Sequence, residues 1–185
     1  MEFDEVVKKR RSVRKFRSKK PDWRVIIDAV ESARKAPLAG NLASVKFILV
    51  DDVEVIAELA EASQQDFIAQ CSYVVVVVSD KVDVTRSYYE RGERYARQQA
   101  GAAIEQFLLK ITDLGLASCW IGAFVDEQVK RALKIPEDVD VEAILPIGYE
   151  YFKGKQKKKP NLDRILYFNK WKHKFLKKKI EIEAH

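Results

Sequence analysis

Five consecutive valines at residues 74–78, set in the run YVVVVVSD, constrain this chain more than any other stretch. β-Branched side chains lose rotamer freedom in a helix and pack well on a pleated strand. The run is apolar at successive positions rather than alternate ones, so neither face of the strand can lie in water. It is expected at the centre of a sheet covered on both sides. The rest of the chain must then supply flanking strands and two covering layers. VKFILVDD (residues 45–52) and VEAILPIGY (residues 141–149) read as those strands.

Helical patterns alternate with the strands, and no repeat is visible. A short helix is expected from Phe3 to about Lys9. Pro21 and Asp22 start a second, with Trp23, Ile26, Ile27, Val30 and Ala33 as its apolar stripe and Pro37 beyond its end. Further helical segments fall near residues 52–60 and 63–70. A long helix is expected from about Thr85 to Leu114, broken near Gly92, with Ala100, Ala103, Ile104, Phe107, Ile111 and Leu114 on one face and Gly115 as its C-terminal cap. PLAGNLAS (37–44) reads as a loop and LASCWIGAF (116–124) as a buried strand or loop. Asp126 is expected to cap a short helix to about Leu133. At 185 residues and 47% hydrophobic, the chain can bury one sizeable core, so residues 1–185 are expected to form a single domain.

Charge is distributed unevenly. Residues 8–20, KKRRSVRKFRSKK, hold nine Lys or Arg and no acid, and residues 153–179 hold eleven Lys and one Arg against Asp163 alone. The whole chain is only +6, so the body between these segments is acidic. Two basic patches on an acidic body imply an anionic partner: a nucleic acid, a membrane surface or one small phosphorylated molecule. Solvated charge accounts for several of the lysines. No apolar run approaches the ~20 residues that span a bilayer. The first residues lack the apolar centre of a secretory signal, so a cytoplasmic protein is expected.

Conventional catalytic machinery is sparse. Cys71 and Cys119 have no ligand spacing, and the two histidines, His173 and His185, both lie in the tail. No metal site and no catalytic side chain is singled out, and neither G-x-G-x-x-G nor a P-loop occurs. Where side chains offer so little, a bound cofactor often carries the chemistry.

RRSVRKF, APLAGNLASVKFILVDD, LGLASCWIGAF, LPIGY and a basic KKKP before LDRILYFNKW occur in the order and spacing of the FMN-dependent nitroreductases, and on these segments the chain resembles that family over nearly its whole length. The resemblance implies an α+β fold with a mixed central sheet flanked by helices. It also implies an intertwined homodimer with FMN at the interface and the basic extension, residues 153–185, reaching the partner subunit. By the family pattern Arg10 and Ser12 resemble contacts of the FMN phosphate and Arg14 a contact of the flavin's pyrimidine edge. Arginine suits both tasks, as a bidentate donor to phosphate and as a fixed cation. In an extended stretch these three alternate residues can face one ligand. Arg11 is a further cofactor-binding candidate, although solvent exposure accounts for it as well as for Lys15 and Arg17. Pro37, Leu38, Ala39 and Asn41 fall on the loop that meets the flavin ring across the interface. This loop departs from the family pattern, with Leu38 in place of Ser and Ala43, Ser44 and Val45 in place of Gln-Pro-Trp. Gly122 and Ala123 match positions whose backbone N–H groups approach the ring, while Trp120 and Phe124 are expected in the core. Lys158 matches a basic phosphate ligand, with Lys157 and Lys159 as adjacent alternatives.

The resemblance implies an NADH- or NADPH-dependent oxidoreductase that reduces nitroaromatics, quinones or similar small electron-poor acceptors by ping-pong exchange at one site. Arg86, Tyr88 and Tyr89 are candidate substrate contacts. One alternative is a specialised flavoenzyme of the same family, of the dehalogenase, flavin-fragmenting or azoline oxidase type. From other classes come a non-catalytic flavin redox sensor and a nucleic-acid-binding module in which Phe16, Tyr167 and Trp171 stack on bases. The last is disfavoured because it leaves APLAGN and CWIGAF without a purpose.

Overall fold

A computed structural model describes residues 1–152, 154 and 156–174. The chain runs α1 (Phe3–Lys9), α2 (Trp23–Ala33), β1 (Val45–Val50), α3 (Val53–Ser63), β2 (Tyr73–Ser79), α4 (Val82–Tyr88), α5 (Gly92–Asp113), β3 (Ala117–Ser118), α6 (Asp126–Leu133), β4 (Asp140–Gly148) and α7 (Leu162–Ile165). This is an α+β fold. The strands form one sheet in the order β1-β2-β4-β3, with β2 between its two longest neighbours. Every β2 residue is buried.

Both faces of β2 are covered, as its valine run requires. Tyr73, Val75 and Val77 meet α2 and α5 in one core with Ile26, Ile104 and Phe107. Val74, Val76 and Val78 meet α3 and α6 in a second core with Leu59, Ile68 and Val129. The register of β2 on β4 slips between Val77 and Val78, whose partners are Ala143 and Val141. Glu142 is the extra residue of this bulge. A one-residue slip reverses side-chain parity, which is why Ala143 joins the α2/α5 core while Val141 joins the other.

All strand ladders are antiparallel; the sheet's mixed character rests on the parallel bridge between Ser12 and Ser118. Several boundaries differ from expectation. The expected break between residues 60 and 63 falls at Gln64, in the left-handed conformation (φ 51°), after one continuous α3. The cap of α6 is Val125, and Asp126 lies in its first turn. Trp23 and Ile27 of the expected α2 stripe face outward, and Ala29 takes their place in the core. The break before α5 does fall at Gly92. The loop at residues 39–41 contains a 3-10 turn with Gly40 and Asn41 at positive φ (56° and 59°).

Candidate functional site

The basic stretch after α1 is extended and joined to the end of the sheet. Val13 N–H donates to Ser118 O (3.0 Å), Arg17 N–H to Tyr149 O (2.8 Å) and Tyr151 N–H to Lys15 O (3.0 Å). Val13 and Phe16 turn inward and are buried. Phe16 lies over Gly148, where an added Cβ would come within 3.0 Å of its ring. Ser12, Arg14 and Lys15 are left exposed, and Arg10 and Arg11 half-buried. A buried Phe16 cannot stack on a base, so the nucleic-acid reading loses one of its three aromatics. Tyr167 and Trp171 are engaged edge to face with each other (4.8 Å).

Arg10, Arg11, Ser12, Arg14, Gln156, Lys157 and Lys159 line one cavity of about 210 Å³. It joins the two basic segments. No carboxylate is among its lining residues, so an anion there meets donors from both ends of the chain. The cavity is smaller than the ~300–1,000 Å³ of a typical ligand pocket. It suits a phosphate-sized group whose remainder lies outside. Lys158, the lysine singled out from the sequence, is exposed and does not line the cavity. In an extended chain residues 157 and 159 share a face and residue 158 takes the other.

The three arginines are not equivalent. Arg10 Nε lies 3.3 Å from Glu105 Oε1 of α5. Arg11 forms an ion pair with Glu150 and donates to Phe152 O at 2.9 Å. Free solvent exposure is therefore not its state. Arg14 has no ion pair among the described residues; its positive charge reaches Cys119, where it works against the burial that raises the thiol pKa.

The other candidates lie elsewhere on the single chain. Pro37, Leu38 and Ala39 line a separate cavity of about 290 Å³ with Tyr95, Gln98 and Gln99. Asn41 is exposed on the same loop. Tyr88 packs edge to face on Tyr95 (5.1 Å), and its hydroxyl would be 2.6 Å from a Cβ at Gly40. A side chain at Gly40 would thus press on Tyr88 as well as strain the turn. Tyr89 is exposed, and Arg86 is exposed with Asp83 3.6 Å away. Gly122 and Ala123 are exposed, and neither amide enters a backbone hydrogen bond among the described residues. Trp120 corrects the expectation of core packing: it is 41% exposed. Phe124 packs against the α3/α6 core. The structure thus unites Arg10, Arg11, Ser12 and Arg14 with the tail, and leaves Pro37, Leu38, Ala39 and Asn41 apart from them. Gln156, which the sequence reading passed over, is part of the site.

The model of the nitroreductase family matches residues 7–66 and 60–149. A protein of Archaeoglobus fulgidus provisionally named NADH dehydrogenase/NAD(P)H nitroreductase is 30% identical over 145 residues, 76% of this chain and 80% of that one. Among solved structures, a nitroreductase family protein from Clostridium novyi NT is 30% identical, with a TM-score of 0.75 over 95% of this chain and 97% of that one. An FMN-dependent nitroreductase from Clostridium difficile R20291 is 26% identical, with a TM-score of 0.77 over 90% and 98%.

Proposed function

Because the chain belongs to the nitroreductase family, we propose that it is an FMN-dependent oxidoreductase that takes reducing equivalents from NADH or NADPH and delivers them to small electron-poor acceptors such as nitroaromatics or quinones. The observation that carries this reading is the cavity between the basic segments, lined by Arg10, Arg11, Ser12, Arg14, Gln156, Lys157 and Lys159 without an acid. Its donors fit a phosphate dianion, and the Clostridium difficile relative is named FMN-dependent. When bound, FMN supplies reversible hydride uptake and release.

The chain's own residues bind and tune. Arg10, Ser12, Lys157 and Lys159 hold the phosphate. Arg14, the one of the cavity's three arginines with no ion pair among the described residues, would place a fixed positive charge at the pyrimidine edge of bound FMN and favour its reduced, anionic form. Gly122 and Ala123 present their exposed backbone amides to the ring. No side-chain acid or base is needed, and donor and acceptor use one site in turn. The loop bearing Pro37, Leu38, Ala39 and Asn41 lines a separate cavity within one chain. It meets the flavin from the partner of a homodimer, with Tyr88 behind it and Arg86 and Tyr89 beside the acceptor.

The absorption spectrum of the purified protein tests the reading. Yellow protein that releases FMN, and neither FAD nor riboflavin, on denaturation is expected. A colourless preparation that also fails to take up added FMN would refute it.

A further inference from the structure

The tail reaches the phosphate cavity through contacts that use none of the cavity's lysines. The Glu150 carboxylate pairs with Arg11 and accepts from Gly154 N–H at 3.2 Å. Arg11 donates onward to Phe152 O at 2.9 Å. One ion pair thus ties the start of the tail to the basic stretch. Gly154 lies flat against the guanidinium, with an added Cβ 2.7 Å from Arg11 Nη1, so a larger residue there would displace the arginine. Two residues on, the Gln156 side-chain amide donates to Arg10 O at 3.0 Å and reaches Val7 O at 3.5 Å. Val7 O is among the last carbonyls of α1, which have no partner within the helix. Gln156 therefore caps α1 and holds the tail against the backbone of the residue that lines the cavity.

We infer that Arg11, Glu150 and Gln156 are positioning residues: they fix the placement of the tail so that Lys157 and Lys159 complete the lining of the cavity. Arg11 acts here through Glu150, with its charge already satisfied by the chain. The inference rests on the reading of the cavity as the FMN phosphate site. It distinguishes that site's ligands from the residues that aim them.

The test uses the full-length protein and two probes, FMN and riboflavin, which differ only in the phosphate. Dissociation constants are read from flavin fluorescence. Gln156→Ala is expected to weaken FMN roughly three- to tenfold, the range for losing a neutral hydrogen bond, and to leave riboflavin unchanged. Glu150→Gln, which keeps the side chain's shape, should show the same selectivity. In a Lys157→Ala/Lys159→Ala background, Gln156→Ala should cost nothing more, because it acts only through those lysines. Equal losses for both flavins, or an undiminished loss in the lysine-free background, would overturn the inference and leave Gln156 a merely structural residue. Wild-type protein that binds FMN no more tightly than riboflavin would overturn the phosphate reading itself, and the inference with it.

Discussion

Arg10 and Arg14 line the same cavity but differ in company. Glu105 partly neutralises Arg10, whereas Arg14 has no ion pair among the described residues. Arg10→Ala is expected to weaken FMN binding by ~1.5–3 kcal/mol, roughly ten- to a hundredfold, without moving the potential of the flavin that stays bound. Arg14→Met is expected to lower that potential, because the reduced anionic form loses its nearest cation. Potentiometric titration at saturating FMN separates the two, and an unmoved potential in Arg14→Met removes that arginine from the ring. The cysteines belong to the core rather than the chemistry. Burial pushes the Cys71 thiol up to about 12 from 9.0, and Cys119 is raised for the same reason. Above pH ~9 the unfolded chain gives up these protons while the folded one keeps them, so the unfolded state binds fewer protons and stability falls as pH rises. Denaturant melts from pH 7 to 10.5 should show this decline, shallower in Cys71→Ala; an identical slope in that variant would contradict the assignment.

At the scale of elements, the junction of α4 and α5 carries a sharp constraint. A Cβ at Gly92 would stand 2.8 Å from Thr85 N and 2.9 Å from Val84 O, both backbone atoms that cannot rotate aside. Gly92→Ala should therefore destabilise by about 1–3 kcal/mol despite alanine's better helix propensity. A thermal melt checks it, and a variant as stable as wild type would mean that α4 does not lie on α5 as described. The glycine was visible in the sequence as a break in a long helical pattern. So were β1, β2 and β4 as runs of β-branched and apolar residues, and α2 from the Asp22 cap at its start. The turn at Gln64 was not, since its left-handed residue is not a glycine. The bulge at Glu142 was not, since parity within β4 is set by β2. In the site, Arg10, Ser12 and Arg14 were legible through the resemblance of RRSVRKF to the family, with which alternation in an extended stretch agrees. Three consecutive lysines hid their own register, so Lys158 was singled out where Lys157 and Lys159 line the cavity. Nothing local to Arg11 or Gln156 revealed partners almost the whole chain away.

For the whole molecule, the tail beyond the cavity is unfinished as a single chain. Leu162, Ile165 and Trp171 are 66%, 66% and 78% exposed, and an apolar segment of this kind needs a covering surface. Read with the homodimer proposed above, removal of the chain from Asn161 onward should shift the protein towards monomer in sedimentation and speed loss of flavin. A truncated monomer that keeps its FMN would contradict this. One further consequence follows from the bond between Gln156 and Arg10, which spans 146 residues. During synthesis the sheet can assemble as soon as β4 has left the ribosome, yet the anion cavity then has only its floor. Its roof arrives with Gln156, Lys157 and Lys159, and because Tyr151 N–H is already on Lys15 O, only a few further residues remain to be closed. On the reading of this cavity as the FMN phosphate site, cofactor loading waits until Lys159 has emerged, and a nascent chain arrested after β4 would be folded but empty-handed.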